Sequence, residues 1–231
     1  MIFHLDCSAI KTPPLSTSIL SIIIVLGVIL SYIPQHYRII LKKSSEGISP
    51  WFLLLGITST SDALINILIL QYPILKCCQE LGPGKCFIAT LGIAQIAMGF
   101  LMFTIIVVLV TVYPAHEQAT LVSLISLVHF IVLIILSLFL QNRTGFANVI
   151  GIISAVLAVC QYVPQIMTTY KRKNIGSLSI PMMLLQTPGS FIFVLSLLGR
   201  EGVIWSTWAI HRSTPGHIVD YLSEIRMERE S

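Results

Sequence analysis

Charge is scarce in this chain. Only 10% of its 231 residues are charged, where a soluble domain carries about 25%, so there is too little charge to cover a surface that faces water. The net charge is +4, and the basic residues sit in loops between apolar runs. That arrangement argues against a nucleic-acid partner and for orientation in a membrane. Nor does the N-terminus read as a cleavable signal peptide. "MIFHLDCSAIKTPPLSTS" has no basic region followed by an apolar one, and Asp6, Pro13 and Pro14 interrupt it. The five cysteines have no metal-ligand spacing, and there is no Ser-His-Asp order and no phosphate loop. Catalysis has no support, and neither a metal nor any other cofactor is expected.

What the chain has in abundance is apolar length. Hydrophobic residues make up 55% of it, and the mean hydropathy is +0.88. A helix needs roughly 20 apolar residues to cross the hydrocarbon core. Six segments qualify, at about 16–40, 50–72, 87–113, 119–140, 146–170 and 180–199. Their apolar runs are continuous rather than alternating, which excludes barrel strands, and backbone groups in lipid must be satisfied internally. The fold class is therefore an all-α integral membrane protein, with the lipid bilayer as its solvent. Arg38, Lys42, Lys43, Lys171, Arg172 and Lys173 form two dense basic clusters on one side. Lys11, Lys76, Lys85, Arg143 and Arg200 are scattered on the other. The clusters are placed in the cytoplasm and the N-terminus outside or in a lumen.

Two stretches repeat. "YIPQHYRIILKKSSEGIS" at 32–49 aligns without a gap on "YVPQIMTTYKRKNIGSLS" at 162–179. Tyr32 meets Tyr162, Pro34 meets Pro164, Gln35 meets Gln165, Lys43 meets Lys173 and Ser49 meets Ser179. Each copy closes a spanning segment before a basic loop, which is strong evidence of duplication. The segment 119–140 between the halves is an odd linker, so both copies run in the same direction as parallel repeats. The organisation reads as an N-terminal tail (1–15), a first three-helix repeat (16–113), a linker helix (114–145), a second, incomplete repeat (146–210) and a polar C-terminal tail (211–231).

These motifs resemble the PQ-loop family of small membrane transporters, which includes cystinosin, the vacuolar and lysosomal cationic amino-acid exporters and the related SWEET sugar carriers. The similarity runs over about residues 16–200, and "SIPMMLLQTPGSF" looks like members from fungi. The resemblance implies two three-helix bundles joined by a linker helix, seven helices in all. It also implies that Pro34, Gln35, Pro164 and Gln165 act as hinges. Proline frees a carbonyl and permits bending, while glutamine hydrogen-bonds across the bundle as the helix rocks. A seventh helix is expected, yet "GVIWSTWAI" stops after nine residues and the chain turns polar after Trp208. Either the chain is an altered or truncated form, or a second subunit, as in a homo-oligomer, completes it.

Asp62 is the most informative single residue, inside the second helix with Asn66 one turn away on the same face. A carboxylate at membrane depth costs about 2.5–3.5 kcal/mol on insertion scales. Desolvation favours the protonated carboxyl, so Asp62 reads as a proton-coupling site. The plainer reading is a structural Asp held by Thr58 or Asn66. In the second half Asp62 meets Ile192, and polar character comes instead from Gln186, Thr187 and the Pro188-Gly189 break. Asn66, Gln95, Gln186 and Pro188 are candidates to line a substrate path. Gly92 and Gly99 mark close helix packing, and His129, alone in the linker helix, reads first as a packing residue that can titrate. Cys77, Cys78 and Cys86 share one predicted lumenal loop, where a disulfide to Cys86 is feasible. Asn142-Arg143-Thr144 is a glycosylation sequon close to the bilayer.

Two functions from different classes follow. One is a carrier of a small polar solute such as an amino acid, coupled to protons and exporting from the vacuole or lysosome. The other is a non-transporting protein of the same fold, acting as a receptor or as a helper in lipid-linked sugar metabolism. The second rests on analogy with the KDEL receptor.

Overall fold

A computed structural model describes residues 15–141, 143–173, 179, 182 and 184. Seven helices account for nearly all of them: α1 (Leu15–Lys42), α2 (Pro50–Leu70), α3 (Tyr72–Leu81), α4 (Pro83–Val112), α5 (Gln118–Phe139), α6 (Arg143–Cys160) and α7 (Tyr162–Arg172). Five spans are long and apolar enough to cross a membrane: α1, α2, α4, α5, and α6 with α7 as one rod over Arg143–Lys171. The chain is therefore an all-α, multi-pass membrane protein. The expected sixth span (180–199), the segment after Arg200, both tails, Gln186, Pro188 and Asn142 lie outside the described residues.

Local chemistry sets the helix ends. Pro50 and Pro83 occupy first-turn positions, where a missing N–H costs nothing because no partner exists there. Gly82, at φ +78° and ψ 161°, separates α3 from α4 in a backbone region that side chains disfavour. One expectation is corrected here. The stretch after residue 72, read as a lumenal loop leading to a helix from about 87, is helical on both sides of Gly82. Pro73 starts α3, Pro83 starts α4, and a Cys78–Cys86 disulfide staples the two across the turn.

Within the first repeat α4 packs against both α1 and α2. The second repeat docks chiefly through α6 on α2, and α5 lies on another face of α2. Helix α2 is thus the hub. The loops after α1 and α4 meet at one end of the molecule, where Ser45 N donates to Tyr113 O (3.1 Å) and Ala115 N donates to Ser45 Oγ (3.0 Å). That end carries the basic clusters; the disulfide lies at the other.

Side-chain packing divides the bundle along its axis. A large apolar cluster fills the basic end, built from Ile39, Leu53, Phe103, Ile106, Val110 and Val122 among others. A smaller one, Ile65, Leu133 and Ile150 with Ile69, Phe130 and Phe146 against it, closes the disulfide end. Between the two lies a polar layer.

Candidate functional site

The polar layer arises because α2 places "TSTSD" between its two apolar contacts. Asp62 stands twelve residues into α2, about 18 Å along the axis at 1.5 Å per residue. His129 stands eleven residues into α5, about 16 Å from the same end. In a hydrocarbon core about 30 Å thick both are near the middle. They meet: His129 Nε2 lies 2.9 Å from Asp62 Oδ1, with Asp62 2% exposed. The partners expected from sequence are engaged elsewhere. Thr58 Oγ1 donates to Leu54 O (2.8 Å) within its own helix. Asn66 Nδ2 donates to Ala147 O of α6 (2.7 Å). That approach needs Gly151, where a Cβ would come within 2.7 Å of the Asn66 amide nitrogen.

Around the pair the repeats are sewn together. Ser59 Oγ donates to Ser154 O and Ser154 Oγ donates to Ser59 O, each at 2.9 Å. Small hydroxyls let α2 and α6 approach closely while satisfying both side chains in apolar surroundings. Gln95, buried in α4, donates to Ser21 O of α1 (3.3 Å). That bond joins two helices of one repeat.

The Pro-Gln motifs build a second device at the basic end. Gln165 Oε1 accepts from Ser49 N and Gln165 Nε2 donates to Gly47 O, both at 2.9 Å. Gly47 sits at φ +92°, a turn that carries its carbonyl toward the amide. Reciprocally, Gln35 Oε1 accepts from Ser179 N (2.7 Å). Since Gln35 pairs with Gln165 and Ser49 with Ser179 in the repeat alignment, these bonds are related by the internal symmetry. Each glutamine holds the loop of the other repeat. Both side chains are buried, at 2% exposure.

The two motifs are placed differently in their helices. Pro34 lies inside the unbroken α1, whereas Pro164 follows the α6–α7 junction at Gln161, where the backbone stays helical (φ −58°, ψ −30°) and Gln161 N donates to Leu157 O (2.9 Å). Gln161 Nε2 donates to Ala158 O (3.0 Å), which fixes the amide so that its buried Oε1 accepts no bond among the described residues. That oxygen faces Gly56, where a Cβ would come within 2.5 Å of it and 2.3 Å of the Phe103 ring.

Sequence reasoning missed the Asp62–His129 contact, yet a signal was there. On α5 the buried residues Ala119, Val122, Ser126 and Leu133 follow a helical 3–4 spacing, and His129 falls on the open position of that stripe. Of the cysteines, Cys78 bonds Cys86 and Cys160 is free and exposed. Among the described residues no group of His, Cys, Asp and Glu could hold a metal.

Comparison with known proteins agrees with the internal symmetry. The family model described as the PQ loop repeat matches twice, at residues 17–76 and 146–206. An uncharacterized protein of the fission yeast Schizosaccharomyces pombe is 30% identical, the match covering 86% of this chain and 76% of that protein.

Proposed function

The chain belongs to the PQ-loop repeat family, and on that footing we propose that it carries a small polar solute, such as an amino acid, across its membrane together with protons. The observation that carries this reading is the reciprocal bracing of the loops: Gln165 on Gly47 and Ser49, and Gln35 on Ser179. Each repeat closes the basic end of the other, so release of one brace frees a loop of the opposite half. A carrier needs two halves that open and close together around a central site, and here that centre is the polar layer at Asp62. Pro34 and Pro164, each next to its bracing glutamine, are the hinges.

Asp62 is the proton-coupling group in this scheme. It lies at mid-membrane depth, it is buried, and its acceptor role is filled by a group that can itself gain a proton. Asn66, Gln95, Gln186 and Pro188 are proposed to line the solute path from neighbouring helices. The Cys78–Cys86 disulfide belongs in an oxidising lumen. With the basic clusters in the cytoplasm, this supports export from a vacuole or lysosome, whose acidic interior supplies the protons.

Uptake into acidified proteoliposomes tests this, with labelled amino acids and sugars and with Asp62→Asn beside the wild type. Saturable flux that needs the pH gradient and disappears in the variant supports a proton-coupled carrier. Well-folded protein without flux of any solute in the panel overturns it. That result moves the weight to a receptor or helper, which would co-purify with a partner through the basic loops.

A further inference from the structure

We propose that Asp62 and His129 hold one proton between them, which makes the linker helix α5 the second half of the proton site rather than a passive connector. For transport this rests on the proton-coupled reading above; the shared proton itself stands apart from it.

The geometry is specific. Nε2 and Oδ1 are 2.9 Å apart, with the carboxyl side chain 2% exposed and the imidazole 32%. Helix α5 turns an apolar face outward through Leu124, Leu127, Val128, Ile131 and Ile135. Its histidine points the other way, into the bundle. A packing histidine would have been equally served by a backbone carbonyl, as His36 is by Met102 O. His129 instead meets the buried carboxyl of α2.

Among the described residues no other ionisable group competes for either partner. The helices against α2 and α5 carry theirs at their ends: Lys85 on α4, Arg143 on α6, Tyr170, Lys171 and Arg172 on α7, and Tyr72, Lys76 and Glu80 on α3. Tyr162 faces Phe52, ten residues or about 15 Å along α2 from Asp62. Cys160 is exposed, and Tyr113, His116 and Glu117 follow α4 at the basic end.

Charge then orders the states of the pair. With no proton it is a lone buried carboxylate, and with two it is an unpaired imidazolium. With one it is neutral overall, whether written as ion pair or as neutral acid and base. Low dielectric favours only that state. A closed bundle keeps one proton, and losing it leaves a charge that water must reach. The proton comes from water on one side and leaves to water on the other, and its passage changes what ties α5 to α2.

The test is a pH titration of the purified full-length protein without solute, so it stands whether or not flux is found. Infrared difference spectra report the Asp62 carboxyl, assigned by its loss in Asp62→Asn. In His129→Gln, which keeps an N–H donor but cannot be charged, the carboxyl is expected to protonate about one pH unit higher or more, a tenfold change in proton affinity. The same coupling is read from the other side, which also serves if His129→Gln folds poorly. In the near-isosteric Asp62→Asn, the His129 nitrogen resonances should show the imidazole losing its proton at a pH lower by a similar amount, since coupling is reciprocal. Midpoints that stay put in both variants overturn the shared proton and leave His129 a packing residue. Coupled midpoints without any flux keep this proposal and sink the carrier reading.

Discussion

Two copies of one motif sit in one chain and behave differently. Tyr32-Ile33-Pro34-Gln35 passes through the middle of a continuous helix, while Tyr162-Val163-Pro164-Gln165 follows the α6–α7 junction at Gln161, whose own backbone stays helical (φ −58°, ψ −30°). Both prolines remove the same backbone donor, so proline alone does not set the copies apart. The residues after it also differ. The second copy has Thr168 and Thr169, whose hydroxyls donate to Pro164 O (2.8 Å) and Gln165 O (3.0 Å). Such back-bonding to the carbonyl four residues earlier bends helices. The first copy has Arg38 and Ile39 in those places, and Ile39 is fully buried in the basic-end core with Tyr32 packed against that core. Tyr162, the counterpart of Tyr32, is 45% exposed. The first motif is packed more tightly than the second, while each glutamine braces the loop of the other repeat.

The largest effect should come from the braces, where the copies are alike. Gln165→Leu strands the buried Ser49 N–H and the Gly47 carbonyl, and Gln35→Leu strands Ser179 N–H. A buried backbone group left without a partner costs about 1–3 kcal/mol. Each variant should therefore lower the thermal unfolding midpoint in detergent by several degrees. If one variant is nearly silent, the braces are not equivalent and the symmetry is only apparent.

The prolines should separate the copies. Pro164→Ala restores a donor just after the α6–α7 junction and, on the carrier reading, removes the second proposed hinge. Turnover in proteoliposomes should fall about tenfold, equal to about 1.4 kcal/mol on the barrier. Pro34→Ala, in the continuous α1, should lower it by no more than about threefold, or about 0.6 kcal/mol. Equal losses would mean that the α6–α7 junction at Gln161 has no part in the motion. A smaller effect is expected from Thr168→Val with Thr169→Val, which removes both back-bonds. Amide exchange near Gln161 should slow by about threefold, a change of about 0.6 kcal/mol in local opening. No change there would mean that the threonine back-bonds do not loosen the α6–α7 junction.

Much of this was legible in the sequence. Hydropathy placed the five spans that the described residues contain, and the offset of the two motifs pointed to the repeat that the family model matches twice, because both signals are local and periodic. The braces were half legible: the glutamines were singled out, but their partners, Gly47, Ser49 and Ser179, lie more than 100 residues away across the bundle. The Asp62–His129 contact was missed for the same reason, since each group was read against neighbours on its own helix. Thr58 and Asn66 were nearer in sequence to Asp62 yet bonded elsewhere, because α2 offers Thr58 its own carbonyls and α6 offers Asn66 the notch at Gly151. Helix α3 was taken for a loop because it is short and too polar to span, and a hydropathy window does not register such a helix.

The smallest effect tests the symmetry at its finest grain. Lys43 and Lys173 correspond in the alignment, and both close their helices in the left-handed conformation, at φ +48° and +49°. For a residue with a Cβ this costs roughly 1–2 kcal/mol, and glycine is the residue that helix ends usually place there. Replacement by glycine removes that cost but also removes a cation near a helix C-terminus, worth about 0.3–1 kcal/mol, and adds freedom to the unfolded chain. The net gain should be about 0.5 kcal/mol, or one to two degrees in the unfolding midpoint for a chain of this size. Lys43→Gly and Lys173→Gly should give the same small gain, and the double variant their sum, because the two caps share no partner. A gain at Lys43 alone would show that the second cap, at the end of α7, is already free to relax. That would extend the difference between the two motifs to the loops that follow them.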